Sequence, residues 1–148
     1  MKSLLLSLAM TLTISSSAMA EPIRIPSALP VNESVARLTA AVEEAGAKVF
    51  LVMDFADGSA SVGEHLPPTT LVLFGNPKIG ATALQQSQEM GLFIPLRMLA
   101  YEDADGKTWL AYSDPAEAAA EHGVAADHPA IGRMQGALKR MATAASGQ

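Results

Sequence analysis

Ten residues hold most of the chemical potential of this 148-residue chain: Thr69 and Thr70 open an apolar run that ends in Gly75-Asn76-Pro77-Lys78. Asn76 can cap a helix that begins at Pro77, and a helix N-terminus presents unpaired N–H groups and partial positive charge. With the Lys78 ammonium beside it, such a turn suits a carboxylate or a phosphate. Thr69, Thr70, Asn76 and Lys78 are therefore the candidate residues for a small polar or anionic ligand. Plain capping explains Gly75 and Asn76 equally well, so Lys78 is the surplus feature.

Catalysis would ask for more: a nucleophile and a base within about 3 Å, or two carboxylates in unlike surroundings. The alternative site of that kind is His65 or His122 working with Asp114. The chain has no G-x-S-x-G, no H-E-x-x-H and no glycine-rich phosphate loop. The reading is a binding or accessory protein ahead of an enzyme, with no catalytic residue assigned. His65, His122 and His128 share no metal-ligand spacing, and with no cysteine a zinc site would be left to His and carboxylate alone. The eight methionines invite copper(I), but Met53, Met90, Met98, Met134 and Met141 fall at apolar positions of strands and helices, where they serve packing. No cofactor or metal is expected; haem or metal carriage is a lesser alternative, since no axial ligand stands out.

Lys2, the apolar stretch Leu4 to Ile14, and Ala18-Met19-Ala20 before Glu21 have the layout of a secretory signal peptide cleaved after Ala20. The stretch is interrupted by serines and threonines and falls short of the roughly 20 apolar residues of a membrane span. Glu21 stands where a bacterial lipid anchor would require cysteine. The expectation is a periplasmic or secreted protein, free of the membrane after cleavage, with one domain over residues 21–148. Cleavage would remove Lys2 and no acid, so nine basic side chains would face 15 acidic ones, a net charge of −6 against −5 for the full chain. Such a balance repels nucleic acid and anionic membranes. Without cysteine, stability must rest on an apolar core.

The elements follow from periodicity and punctuation. Ile23-Arg24-Ile25 before Pro26 reads as a short edge strand. Asn32 caps a helix that buries Val35, Leu38, Val42 and Ala45 and stops at Gly46. Lys48 to Met53 and Thr70 to Phe74 are apolar on both faces and read as interior strands, with a surface loop over Asp54 to Leu66. A helix from Pro77 to Met90 follows. Leu96 to Tyr101 and Lys107 to Tyr112 form a hairpin around Asp105-Gly106. Asp114 and Glu117 have capping-box spacing for a short helix that ends at Gly123. The last helix spans about Pro129 to Met141, with Lys139 and Arg140 near its negative end. The order β-α-β-β-(α)-β-β-α describes an α+β domain with an antiparallel or mixed sheet and two main helices.

Pro67 to Lys78, together with Ile94-Pro95-Leu96 and Tyr112-Ser113-Asp114-Pro115, resembles the DUF302 family, small domains of the TT1751-like fold named for a domain of unknown function. The resemblance covers about Val35 to Val124. It implies an open sheet with two main helices and a homodimer. Apolar residues make up 49% of the chain, more than so small a domain hides easily, which also favours a partner on an exposed sheet face or edge. One departure is Phe55: family members commonly carry Asp-His after the second strand, and here Asp54 is followed by Phe55.

Overall fold

The computed structural model describes residues 21–148, so the signal peptide expected at residues 1–20 lies outside the described residues. The elements run β1 (Ile23–Pro26), α1 (Val31–Glu44), β2 (Lys48–Asp54), α2 (Phe55–Ala60), β3 (Thr69–Gly75), α3 (Pro77–Gln86), a 3-10 turn (Gln88–Leu92), β4 (Leu96–Glu102), β5 (Thr108–Tyr112), α4 (Pro115–Glu121) and α5 (Pro129–Ser146). The strands form one antiparallel sheet in the order β1-β5-β4-β3-β2. The fold is a single α+β domain.

Alternation along β3 and β4 decides which face is covered. Val72, Phe74, Leu96, Met98 and Ala100 are buried, and they share one side of the sheet with Leu110 and Tyr112 of β5. Leu38 and Val42 of α1 and Leu138 and Met141 of α5 close that side. Each large side chain buried there contributes about 1.5–3 kcal/mol. The other side of the sheet carries Leu71, Leu73, Leu99, Tyr101 and Trp109, all only half-buried, and Leu51 and Met53, both exposed.

Several boundaries differ from the sequence reading. Lys48 to Met53 is an edge strand, not an interior one: Phe50 is 47% exposed, Leu51 41% and Val52 46%. A run that is apolar on both faces calls for cover on both, but the run itself does not say that its own chain supplies it. Part of the expected Asp54–Leu66 loop is helical, because the Asp54 carboxylate accepts from Asp57 N–H at 3.1 Å and caps α2. Asn32 is not a cap; α1 starts at Val31 after Pro30, with no side-chain cap. The helix expected to reach Met90 stops at Gln86, where Ser87 turns extended (φ −148°, ψ 120°) before the 3-10 turn. The final helix runs five residues past Met141, to Ser146.

The Asp105-Gly106 hairpin forms as read. Its side-chain staple was not foreseen: the Asp103 carboxylate accepts from Trp109 Nε1 at 2.6 Å, Lys107 N–H at 2.9 Å and Asp105 N–H at 3.0 Å. Those bonds, the one from Trp109 foremost, hold the Asp103 carboxyl below the usual carboxylate range.

Candidate functional site

The turn after β3 sits at the mouth of a cavity of about 370 Å³, within the size range of ligand sites. Its walls come from several places in the chain. Phe74, Gly75 and Asn76 end β3 and open the turn; Ile79, Gly80 and Leu84 come from α3; Ile94 and Pro95 lead into β4; Met134, Ala137, Arg140 and Met141 come from α5. Ala45 and Ala47, on either side of the end of α1, and Phe50 of β2 complete it. The lining is apolar except for Asn76 and Arg140.

Local sequence explains why space remains. Gly46 adopts φ +68° at the end of α1, which turns the chain sharply toward β2 and leaves only the alanine methyls beside it. Gly80, Ala81 and Ala137 likewise bring little volume where α3 faces α5. A side chain on Gly80 would place its Cβ 3.3 Å from Ile94 Cδ1, so this wall is tight while the interior stays open.

The start of α3 is fully engaged. Asn76 Oδ1 accepts from Lys78 N–H at 2.9 Å, and the Asn76 carbonyl accepts from the N–H groups of Ile79 (2.9 Å) and Gly80 (3.0 Å). Pro77 has no N–H to offer. The first turn of α3 therefore keeps no free donor for an anion. Any anion at this place must be held by side chains.

Of the four candidate ligand residues, the structure brings together only Asn76 and Lys78. Thr69 and Thr70 lie at the opposite end of β3, about 20 Å away at strand rise. Thr70 is buried, and Thr69 Oγ1 donates to the Pro67 carbonyl at 2.9 Å. Lys78 is exposed, outside the cavity lining.

The alternative residues are scattered. His65 is exposed in the segment that leads into the Thr69 end of β3. Asp114 caps α4, accepting from Ala116 N–H at 2.9 Å and from Gln135 Nε2 at 2.8 Å. His122 closes the same helix at its far end, about 12 Å along the axis. Its Nδ1 lies 3.8 Å from Glu89 Oε2, a contact that is an ion pair only when the imidazole is protonated. Among those residues, no three His, Asp or Glu side chains gather as a metal site.

Sequence reasoning missed Arg140 as a site residue. It treated Lys139 and Arg140 as cations at the negative end of the last helix, but α5 continues to Ser146 and leaves Arg140 well before its last turn. The available signal was the pairing of small residues, Gly136 and Ala137, with Arg140 one turn on.

Comparison with known proteins places the domain. The family described as "Domain of unknown function DUF302" matches residues 23–144, and the chain belongs to that family. A crystal structure of an uncharacterised conserved DUF302 protein from Bacillus stearothermophilus superposes with a TM-score of 0.69 at 17% identity, covering 86% of this chain and 97% of that one. That likeness establishes the shared fold. Two curated relatives, each named "Fluoride-specific ion channel FluC 1", come from Brucella suis biovar 1 and Brucella abortus biovar 1. Each is 41% identical over 92 residues, which is 62% of this chain but 36% and 34% of those proteins. The chain thus spans about a third of the length of the curated relatives it matches. No helix among the described residues is long and apolar enough to cross a membrane.

Proposed function

We propose that this DUF302 protein is an exported, non-catalytic binding module that takes a small anionic ligand beside the Asn76–Lys78 turn. The observation that carries the reading is the 370 Å³ cavity opening at that turn, with Asn76 and Arg140 as its polar lining and no carboxylate in its walls. With the N–H groups of α3 occupied, the ammonium of Lys78 and the guanidinium of Arg140 are the groups that would meet the ligand's charge. Because the shared segment forms a third of proteins named as ion channels, we read it as an accessory part that accompanies transport, with the channel activity belonging to the remainder of those relatives.

The test is native mass spectrometry of protein purified from an exporting host, followed by titration with acetate, inorganic phosphate and longer carboxylates. A retained or titratable anion whose affinity falls in Lys78→Ala or Arg140→Gln, at unchanged melting temperature, supports the reading. Absence of any bound anion across that set refutes it. Export carries its own check: N-terminal sequencing should begin at Glu21, and intact Met1 on membrane-bound material would overturn it.

A second reading concerns assembly. The half-exposed apolar side of the sheet, with Leu51 and Met53 at its rim and the outer edge of β2 unpaired among the described residues, supports a homodimer that buries this side. Exposed contiguous apolar surface of this kind marks interaction sites. Light scattering at high micromolar concentration should give twice the protomer mass; a lone monomer there argues against the dimer.

A further inference from the structure

We infer that the cavity ligand is a single-chain amphiphile: an unbranched apolar body of roughly ten carbons ending in one carboxylate, with the head at Arg140 and the body between α3 and α5. The inference rests on the proposed binding role of this site and deepens it. Three observations carry it.

The walls select the body. Every lining side chain except Asn76 and Arg140 is apolar, and many are alanine or glycine, so the interior offers nothing for a polyol, a nucleotide or a peptide amide to bond. The volume sets the size. At about 30 Å³ for a water-sized group, 370 Å³ holds roughly a dozen heavy atoms, which is a chain of about ten carbons and two oxygens. A free inorganic anion would leave most of that apolar wall uncovered.

Charge selects the head and its place. Arg140 is the one charged lining residue, and it has no carboxylate partner among the described residues. Gly136 gives it room: a Cβ there would fall 3.2 Å from Arg140 Nη1, so the guanidinium of this exposed residue lies back along α5. Its planar fork matches two carboxylate oxygens. Lys48 pairs opposite Gly75 in the sheet, with its ammonium 5.6 Å from the ring of the lining residue Phe50, and Lys78 follows the turn. Arg140 thus lines the cavity, with Lys48 and Lys78 next to lining residues, in a chain of net charge −5. Glu43 and Glu44 end α1 nearby, and neither lines the cavity.

The experiment titrates the purified protein with carboxyl-13C-labelled decanoate followed by NMR, and with decanol and acetate by calorimetry. Decanoate should bind at least tenfold tighter than either. Arg140→Gln should weaken decanoate about tenfold and leave decanol unchanged. Ala137→Phe, which fills the cavity from α5, should abolish both, with circular dichroism confirming the fold; Leu84→Trp does the same from α3 should Ala137→Phe not fold. Equal affinity for decanoate and decanol overturns the assignment of the head, and an Arg140→Gln variant with unchanged decanoate affinity does the same. If acetate or phosphate binds as tightly as decanoate in a manner lost with Lys78→Ala, this inference fails while the anion-binding reading stands. If none of these probes binds, both fail.

Discussion

Replacing Asn76 separates the two roles that the turn combines. Its Oδ1 is the acceptor for Lys78 N–H at 2.9 Å, while its Nδ2 reaches the Gly46 carbonyl only at 3.5 Å, too long to add much. Asn76→Ala therefore costs the cap alone, about 1 kcal/mol, since water can reach the freed N–H at this partly exposed turn. For a domain of this size that lowers the melting temperature by about 4 °C. Asn76→Asp keeps an acceptor at the same place and suits the positive end of α3, so its melting temperature should stay within about 1 °C of the parent. The same variant sets a carboxylate at the cavity mouth and should weaken decanoate binding several-fold. Calorimetric melts at pH 7 and decanoate titrations on the three proteins give the answer. If Asn76→Asp melts as low as Asn76→Ala, the cap is not what Asn76 contributes and the reasoning about the turn is wrong.

Three further outcomes are expected. Leu51→Lys changes an exposed residue, so a monomer should fold within about 0.5 kcal/mol of the parent while the proposed dimer, followed by light scattering, dissociates; a persisting dimer moves the interface elsewhere. Asp103 titrates in the folded protein below its ordinary value of about 3.9, so its stabilisation is complete above that pH and is lost as the pH falls through the lower folded value. Asp103→Asn should therefore melt lower than the parent at pH 7, with the gap narrowing once the pH falls below the ordinary carboxylate value and Trp109 fluorescence reporting the same transition; a gap independent of pH would sink this account. Gly147 ends α5 at φ +72°, and a Cβ there would meet Leu29 Cγ at 2.8 Å, so Gly147→Ala should cost more than about 1 kcal/mol, visible as a lower melting temperature.

Local signals carried the fold a long way. Asn76-Pro77, Asp114-Pro115 and His128-Pro129 each begin a helix where read, because cap and proline act within a few residues and need no distant partner. The Asp105-Gly106 turn set the hairpin for the same reason. Errors arose where the deciding neighbour is remote. Lys48 to Met53 has the composition of an interior strand, yet its place at the sheet edge depends on β3 pairing with β4 on its other side. Thr69 and Asn76 look adjacent in a ten-residue stretch, but an extended strand carries them to opposite ends of β3.

The sequence by itself determined the family, the α+β class, the antiparallel hairpin and the capped turn after β3, all matters of local conformation and short-range pattern. Only the tertiary structure decided that the first turn of α3 has no N–H left for an anion, and that Arg140, 64 residues further along, borders the same cavity as Asn76. A cavity is the space that side chains from α1, α3, β4 and α5 fail to fill together. That shortfall is a property of their packing and is written in no single segment of the chain.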